Sequence, residues 1–142
     1  MQFSKNITKL GMRCLKINKE GVNNMENAQE LLSEWQNRLG LQDWRIKLVP
    51  DCKPEEMELK GCDGCTEWTE CVKTARIEII DQQYYGDRIV PFDFEKTLVH
   101  ELLHLKTCLV SDGVDDFQGR YMHQMIDDLA RAFVDAKRYK GA

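Results

Sequence analysis

The sequence predicts a single α+β domain in which a short twisted β-sheet packs against one apolar helix, with further helices before and after it. Three observations carry this. Apolar residues recur at helical spacing in three segments and alternate with polar residues in three others. The order is helix, strands, helix, helix, with no regular strand-helix alternation. The chain has 142 residues with a 42% hydrophobic fraction, which is one domain's length and ordinary globular composition.

Residues 1–23 are polar and rich in Lys and Asn, and read as a loosely attached arm preceding a domain over 24–142. Ala28, Leu31, Leu32, Trp35 and Leu39 then mark an amphipathic helix over about 25–39, which Gly40 stops. Trp44, Ile46 and Leu48 alternate with Arg45 and Lys47 as a half-buried strand, which Pro50 is expected to close. Asp51 to Lys60 is an acidic connection. Thr66 and Trp68, then Val72 to Ile80, read as two further strands, with Ala75, Ile77 and Ile79 on one face and Arg76 and Glu78 on the other. After a loop over Asp81 to Pro91, Asp93 caps a helix over about 94–109, and a last helix spans about Phe117 to Lys140. Its expected buried side is Met122, Met125, Ile126, Leu129, Phe133 and Ala136, and its basic end, Lys137 to Lys140, suits the helix dipole.

Several function classes drop out on composition. Twenty Lys and Arg against 24 Asp and Glu give a net charge of −4, the wrong sign for tracking nucleic acid by bulk electrostatics. That charge does not exclude a local basic patch, such as the one near Lys137 to Lys140. No apolar run is long enough to span a membrane, and the first ten residues lack a signal-peptide core, so a cytoplasmic protein with no membrane partner is expected. The six cysteines are then expected as thiols or metal ligands.

The chemistry lies in His100-Glu101-Leu102-Leu103-His104. Two imidazoles one helical turn apart can grip one zinc ion, with the intervening glutamate as general base. On a helical wheel with His100 at zero, His104 falls at about 40°, Thr97 at about 60°, Cys108 at about 80° and Glu101 at about 100°. Apolar residues fill the arc from about 120° to 300°, so the polar stripe is the expected site on an otherwise buried helix. A hydrolytic zinc takes a third protein ligand. His123, the one remaining histidine, can reach it from the last helix. Asp127, one turn further, either replaces His123 as an oxygen ligand, holds the second nitrogen of the His123 imidazole, or is an exposed carboxylate. Zn²⁺ is the expected cofactor and a peptide or protein the expected substrate: Glu101 takes a proton from a metal-activated water and returns it to the leaving amine.

Other candidates are weaker. Cys62-x-x-Cys65 with Cys52 and Cys71 is an incomplete zinc-ribbon pattern, which favours reduced thiols in a hairpin loop over a structural zinc. Cys108 reads as a small core residue. Tyr84, Tyr85, Arg120 and Tyr121 are candidates to stabilise an oxyanion, with packing or solvent exposure the better reading.

The run from Phe94 to Leu105 resembles the active-site helix of the zincin metallopeptidases, and most of all the small single-domain metallopeptidase-like proteins of phages and bacteria. The similarity extends from about Leu31 through Leu41-Gln-Asp-Trp-Arg-Ile and Thr74-Ala-Arg-Ile-Glu-Ile to Ile126-Asp-Asp-Leu-Ala-Arg-Ala-Phe. It implies a minimal zincin fold, in which an edge strand receives an extended peptide and a final helix supplies the third ligand. Where some zincin subfamilies carry a glutamate on that helix, the matching position here is His123. The chain is not a metzincin, because Thr107 and Val110 stand where the longer motif has Gly and His. SprT-like peptidases share the short motif, but here the cysteines precede the active-site helix. A zinc-dependent binding or regulatory domain without catalysis is the non-enzymatic alternative. A metal-dependent endoribonuclease of the three-histidine type is weakened by Val110, which replaces its last histidine.

Overall fold

A computed structural model describes residues 25–111 and 113–139. The expected N-terminal arm, with Cys14, and the chain's last three residues lie outside them. Among the described residues, three helices and a three-stranded mixed sheet form an α+β domain. No helix among them is long and apolar enough to cross a membrane.

Helix α1 occupies 25–39 and buries Ala28, Leu32 and Trp35. It ends where glycine permits a left-handed turn: Gly40 has φ +67°, and Leu41 N–H donates to Gln36 O at 2.8 Å while Gly40 N–H reaches Asn37 O at 3.4 Å. This is the Schellman closure, with buried Leu41 providing its apolar contact.

The sheet order is β1 (Arg45–Cys52), β3 (Thr74–Ile80), β2 (Gly64–Thr69), with β1 parallel and β2 antiparallel to β3. Pro50 does not close β1. The strand continues to Cys52 through a bulge: Val49 pairs with Glu78 and Cys52 with Ile80, so β1 carries one extra residue, and Asp51 has φ 57°. An edge strand tolerates proline because its missing N–H costs no ladder bond on the open side. Val72 also falls outside the strand expected for it. It lies in a 3-10 turn, Glu70–Val72, and left-handed Lys73, φ 48°, starts the turn into β3.

The sheet has two covered faces. Leu48, Ala75, Ile77 and Ile79 join Leu98, Val99 and Leu102 in the main core. Cys52, Cys65, Ile80 and Met57 make a smaller core on the other face, under the connection from β1 to β2. Glu78 shares that outer face, 4% exposed, and is held by Arg76 at 2.8 Å and by the Glu58 N–H at 3.0 Å.

Helix α2 (Phe94–Ser111) starts with Asp93 accepting the Lys96 N–H at 3.2 Å, the expected cap. Helix α3 (Asp116–Arg138) starts with a reciprocal capping box between Asp115 and Gln118. The buried face of α3 differs from the one its apolar pattern predicts. Ile126, Ala130 and Val134 are buried, whereas Met125, Leu129 and Phe133 are 43%, 38% and 38% exposed and Ala136 is also exposed. On a helical wheel this turns the packed side by about 90° from the most apolar side. The i, i+4 row of compact residues against α2 accounts for it, and the same rotation carries His123 and Asp127 toward α2.

Glu95 is the polar residue in the core that the wheel of α2 did not anticipate. It is 8% exposed and accepts from Trp35 Nε1 at 2.8 Å, Lys137 Nζ at 2.5 Å and Arg138 Nη2 at 3.0 Å, tying all three helices together. Lys137 also pairs with Glu34 and Arg138 with Asp93, so both of these cations are engaged in ion pairs with α1 and the start of α2. Burial pushes the Glu95 carboxyl up, but the hydrogen bonds from Lys137, Trp35 and Arg138 together hold it below the usual 4.5. A carboxyl depressed on folding leaves the folded state with fewer bound protons than the unfolded one. Its contribution is therefore complete above about pH 4.5 and lost as pH falls through the depressed value. Glu95→Gln is expected to cost about 2 kcal/mol at pH 7 and to flatten the fall in stability below pH 4.5, read by urea unfolding across pH.

Candidate metal centre

His100 and His104 stand one turn apart on α2, with ring centroids 5.1 Å from each other. His123 on α3 completes a triangle, 4.6 Å from the His100 ring and 5.6 Å from the His104 ring. One ring nitrogen from each lies within 4.8 Å of the other two, which is close enough to bind a metal ion. The tightest pair, His100 Nε2 and His123 Nε2, is 3.1 Å apart. Two imidazole nitrogens on one tetrahedral zinc, at about 2.05 Å each, stand about 3.3 Å from each other. The donor set therefore suits such an ion.

Electrostatics favours the neutral, ligating form of two of these rings. Burial, and then the charges of His100 and His123, push His104 down to about 4. Burial also lowers His100, aided by His123 and opposed by Asp127. His100 Nδ1 lies 3.3 Å from Asp127 Oδ1, and Asp127 Oδ2 pairs with Arg131 at 3.1 Å. With its Nδ1–H donated to Asp127, His100 presents the lone pair of Nε2 to the cluster. Asp127 thus stands as a partner to an imidazole's second nitrogen, but to that of His100 and not, as the sequence suggested, that of His123.

Glu101 faces β2. It is 6% exposed, its Oε2 accepts the Thr66 hydroxyl at 2.6 Å, and burial pushes its carboxyl up to about 7 against the opposing effect of that bond. A cleft of about 370 Å³ is lined by Gly64, His100, Glu101, His123, Asp127 and Arg131.

The remaining candidates disperse. Among the described residues the three histidines are the only group of three or more His, Cys, Asp or Glu side chains with ligand atoms this close. Cys52 and Cys65 are buried in the outer-face core, Cys62 lines the cleft half-buried, and Cys71 is exposed. Cys108 packs in the main core, as expected. Of the four oxyanion candidates only Tyr85 lines the cleft, and its hydroxyl donates to Val90 O at 2.9 Å. Tyr84 and Tyr121 are 41% and 65% exposed, and the Arg120 Nε donates to Asp116 O.

Sequence reasoning placed Thr66 on a strand but did not bring it to Glu101. The available signal was parity: Thr66 and Trp68 share a face, and the apolar Trp68 marks that face as inward. Compared with known proteins, the chain matches no family model, no curated protein and no solved structure.

Proposed function

We propose that this domain is a zinc-dependent peptidase of minimal-zincin type, hydrolysing peptide bonds in the cleft between β2 and α3. The observation that carries the reading is the convergence of three imidazole nitrogens beside a buried glutamate whose carboxyl is raised toward neutrality. A base is most effective when its pKa approaches the working pH, and a merely structural surface carboxylate has no reason to be buried beside a cation site. A zinc ion held by His100, His104 and His123 would supply Lewis-acid activation of water and of the scissile carbonyl.

The chain's own groups do the rest. Glu101 removes a proton from the attacking water as the new C–O bond forms, and returns it to the amine nitrogen as the C–N bond breaks. Asp127, anchored by Arg131, keeps the His100 ring in the tautomer and orientation for ligation. β2 lies at the sheet edge, so its outer N–H and C=O groups are open to an extended peptide in the manner of strand addition. The acidic net charge and the ion pairs that consume Lys137 and Arg138 weigh against a nucleic-acid substrate.

The test uses purified full chain, metal analysis and a randomised fluorogenic peptide library with unfolded casein alongside. The expected result is about one zinc per chain and cleavage that stops with a chelator and returns with zinc. A zinc-loaded chain that cleaves neither substrate would overturn the peptidase reading, and a chain that takes up no zinc would overturn the metal centre as well.

A further inference from the structure

β2 approaches the site from the side opposite α3. Its antiparallel register sets Gly64 against Ile79, Thr66 against Ile77 and Trp68 against Ala75. Those three β3 residues are buried in the core that includes α2. Directly opposed residues share a sheet face, so Gly64 and Thr66 turn toward α2, while Cys65 turns to the outer core. The residue that meets them there is Glu101.

The Thr66 hydroxyl lies 3.3 Å from the Glu101 backbone O, and two closer contacts define the encounter. The Thr66 hydroxyl donates to Glu101 Oε2 at 2.6 Å. At Gly64 a Cβ would fall against Glu101 Oε1 and stand 2.9 Å from both Cδ and Cγ of that glutamate, so a side chain here displaces the carboxylate. The constraint at this position is space beside the Glu101 carboxylate rather than backbone conformation, since the φ of Gly64 is not in the left-handed region. Threonine at 66 adds stiffness, because its β-branch restricts χ1 and holds the hydroxyl in one direction.

We infer that Gly64 and Thr66 are positioning residues for Glu101, the hydroxyl holding one carboxylate oxygen and the bare Cα leaving room for the other beside the cleft. The inference rests on the peptidase reading for the reaction that Glu101 serves. The physical consequence is direct. A buried carboxylate on a three-torsion side chain has several rotamers, and a base that must face a water beside the metal loses rate when it spends time in the wrong one. One hydroxyl from a strand and one absent methyl from the same strand remove that freedom without adding a charge to the site.

Thr66→Val keeps the shape and deletes the donor, Thr66→Ser keeps a donor on a looser side chain, and Gly64→Ala fills the space. In the zinc-loaded full chain, Thr66→Val is expected to lower kcat about 10- to 100-fold with KM and zinc content unchanged, and Thr66→Ser to recover most of the loss. Gly64→Ala is expected to lower kcat likewise. A second readout does not need turnover: the infrared band of the Glu101 carboxyl, identified by its loss in Glu101→Gln, should shift in Thr66→Val and return toward the wild-type position in Thr66→Ser. A wild-type kcat in folded Thr66→Val, or an unmoved band, would overturn the positioning role. If wild type itself cleaves nothing, the peptidase reading falls, while the infrared comparison still decides whether Thr66 holds the carboxyl.

Discussion

Glu101→Gln is expected to keep one zinc per chain and to lose about 10²- to 10⁴-fold in kcat, the range a positioned general base supplies. Glutamine has the same shape, and its amide oxygen can still accept the Thr66 hydroxyl, so the surroundings of the side chain are preserved. What it cannot do is take a proton. The stability change should run in the opposite direction to the activity. Burial raises the Glu101 carboxyl from the usual 4.5 to about 7. A carboxylic acid raised on folding binds more protons in the folded state, so its favourable contribution is complete below about pH 4.5 and is lost as pH rises through 7. At pH 8 the metal-free wild type therefore carries the cost of a buried carboxylate, and metal-free Glu101→Gln should melt no lower than wild type. A carboxylate kept for structure would show the reverse, with Tm falling and turnover little changed. Thermal melts at pH 5 and pH 8 together with initial rates separate the two cases.

What could be read in the sequence, and what could not, follows the range of the interactions involved. The pair His100 and His104 is set by four residues of helix, so its geometry was legible at once. His123 was legible by elimination as the last histidine. Its approach depends on the rotation of α3, and there local hydrophobicity points to the wrong face: Met125, Leu129 and Phe133 remain substantially exposed while Ile126, Ala130 and Val134 pack. Helix packing selected the row that fits closely against α2 over the row with the largest side chains. Pro50 was misread because a proline ends a central strand but not an edge strand, and position in the sheet is a tertiary fact. Glu95 was illegible as a buried residue since its partners Trp35, Lys137 and Arg138 lie 60, 42 and 43 positions away. Thr66 is likewise 35 residues from Glu101, and only strand register brings them together.

Removing a ligand should show how far the metal holds the fold. α2 and α3 pack together through Ile126 and Ala130, and nearer the turn that joins the two helices three imidazoles crowd together with His100 Nε2 and His123 Nε2 3.1 Å apart. An ion between them converts the three converging ring nitrogens into a cross-link from α2 to α3. At free zinc a thousand times its Kd, binding to the folded chain alone is worth about 4 kcal/mol, or about 10–20 °C in Tm for a chain of this size. His104→Ala is expected to abolish that zinc-dependent rise and all turnover, while its metal-free Tm stays near the metal-free wild type, because a half-buried ring is removed from beside two like groups. His123→Ala and Asp127→Asn then separate ligand from supporting partner. Loss of a ligand should eliminate stoichiometric zinc at micromolar protein. Loss of the Asp127 charge should weaken affinity about 10- to 100-fold, the usual scale for a group that orients a ligating histidine, and leave the zinc-dependent Tm rise reduced but present. Isothermal titration with zinc on the three variants gives the order. If Asp127→Asn lost zinc altogether and His123→Ala kept it, Asp127 would be the third ligand and His123 a bystander at the rim of the cleft.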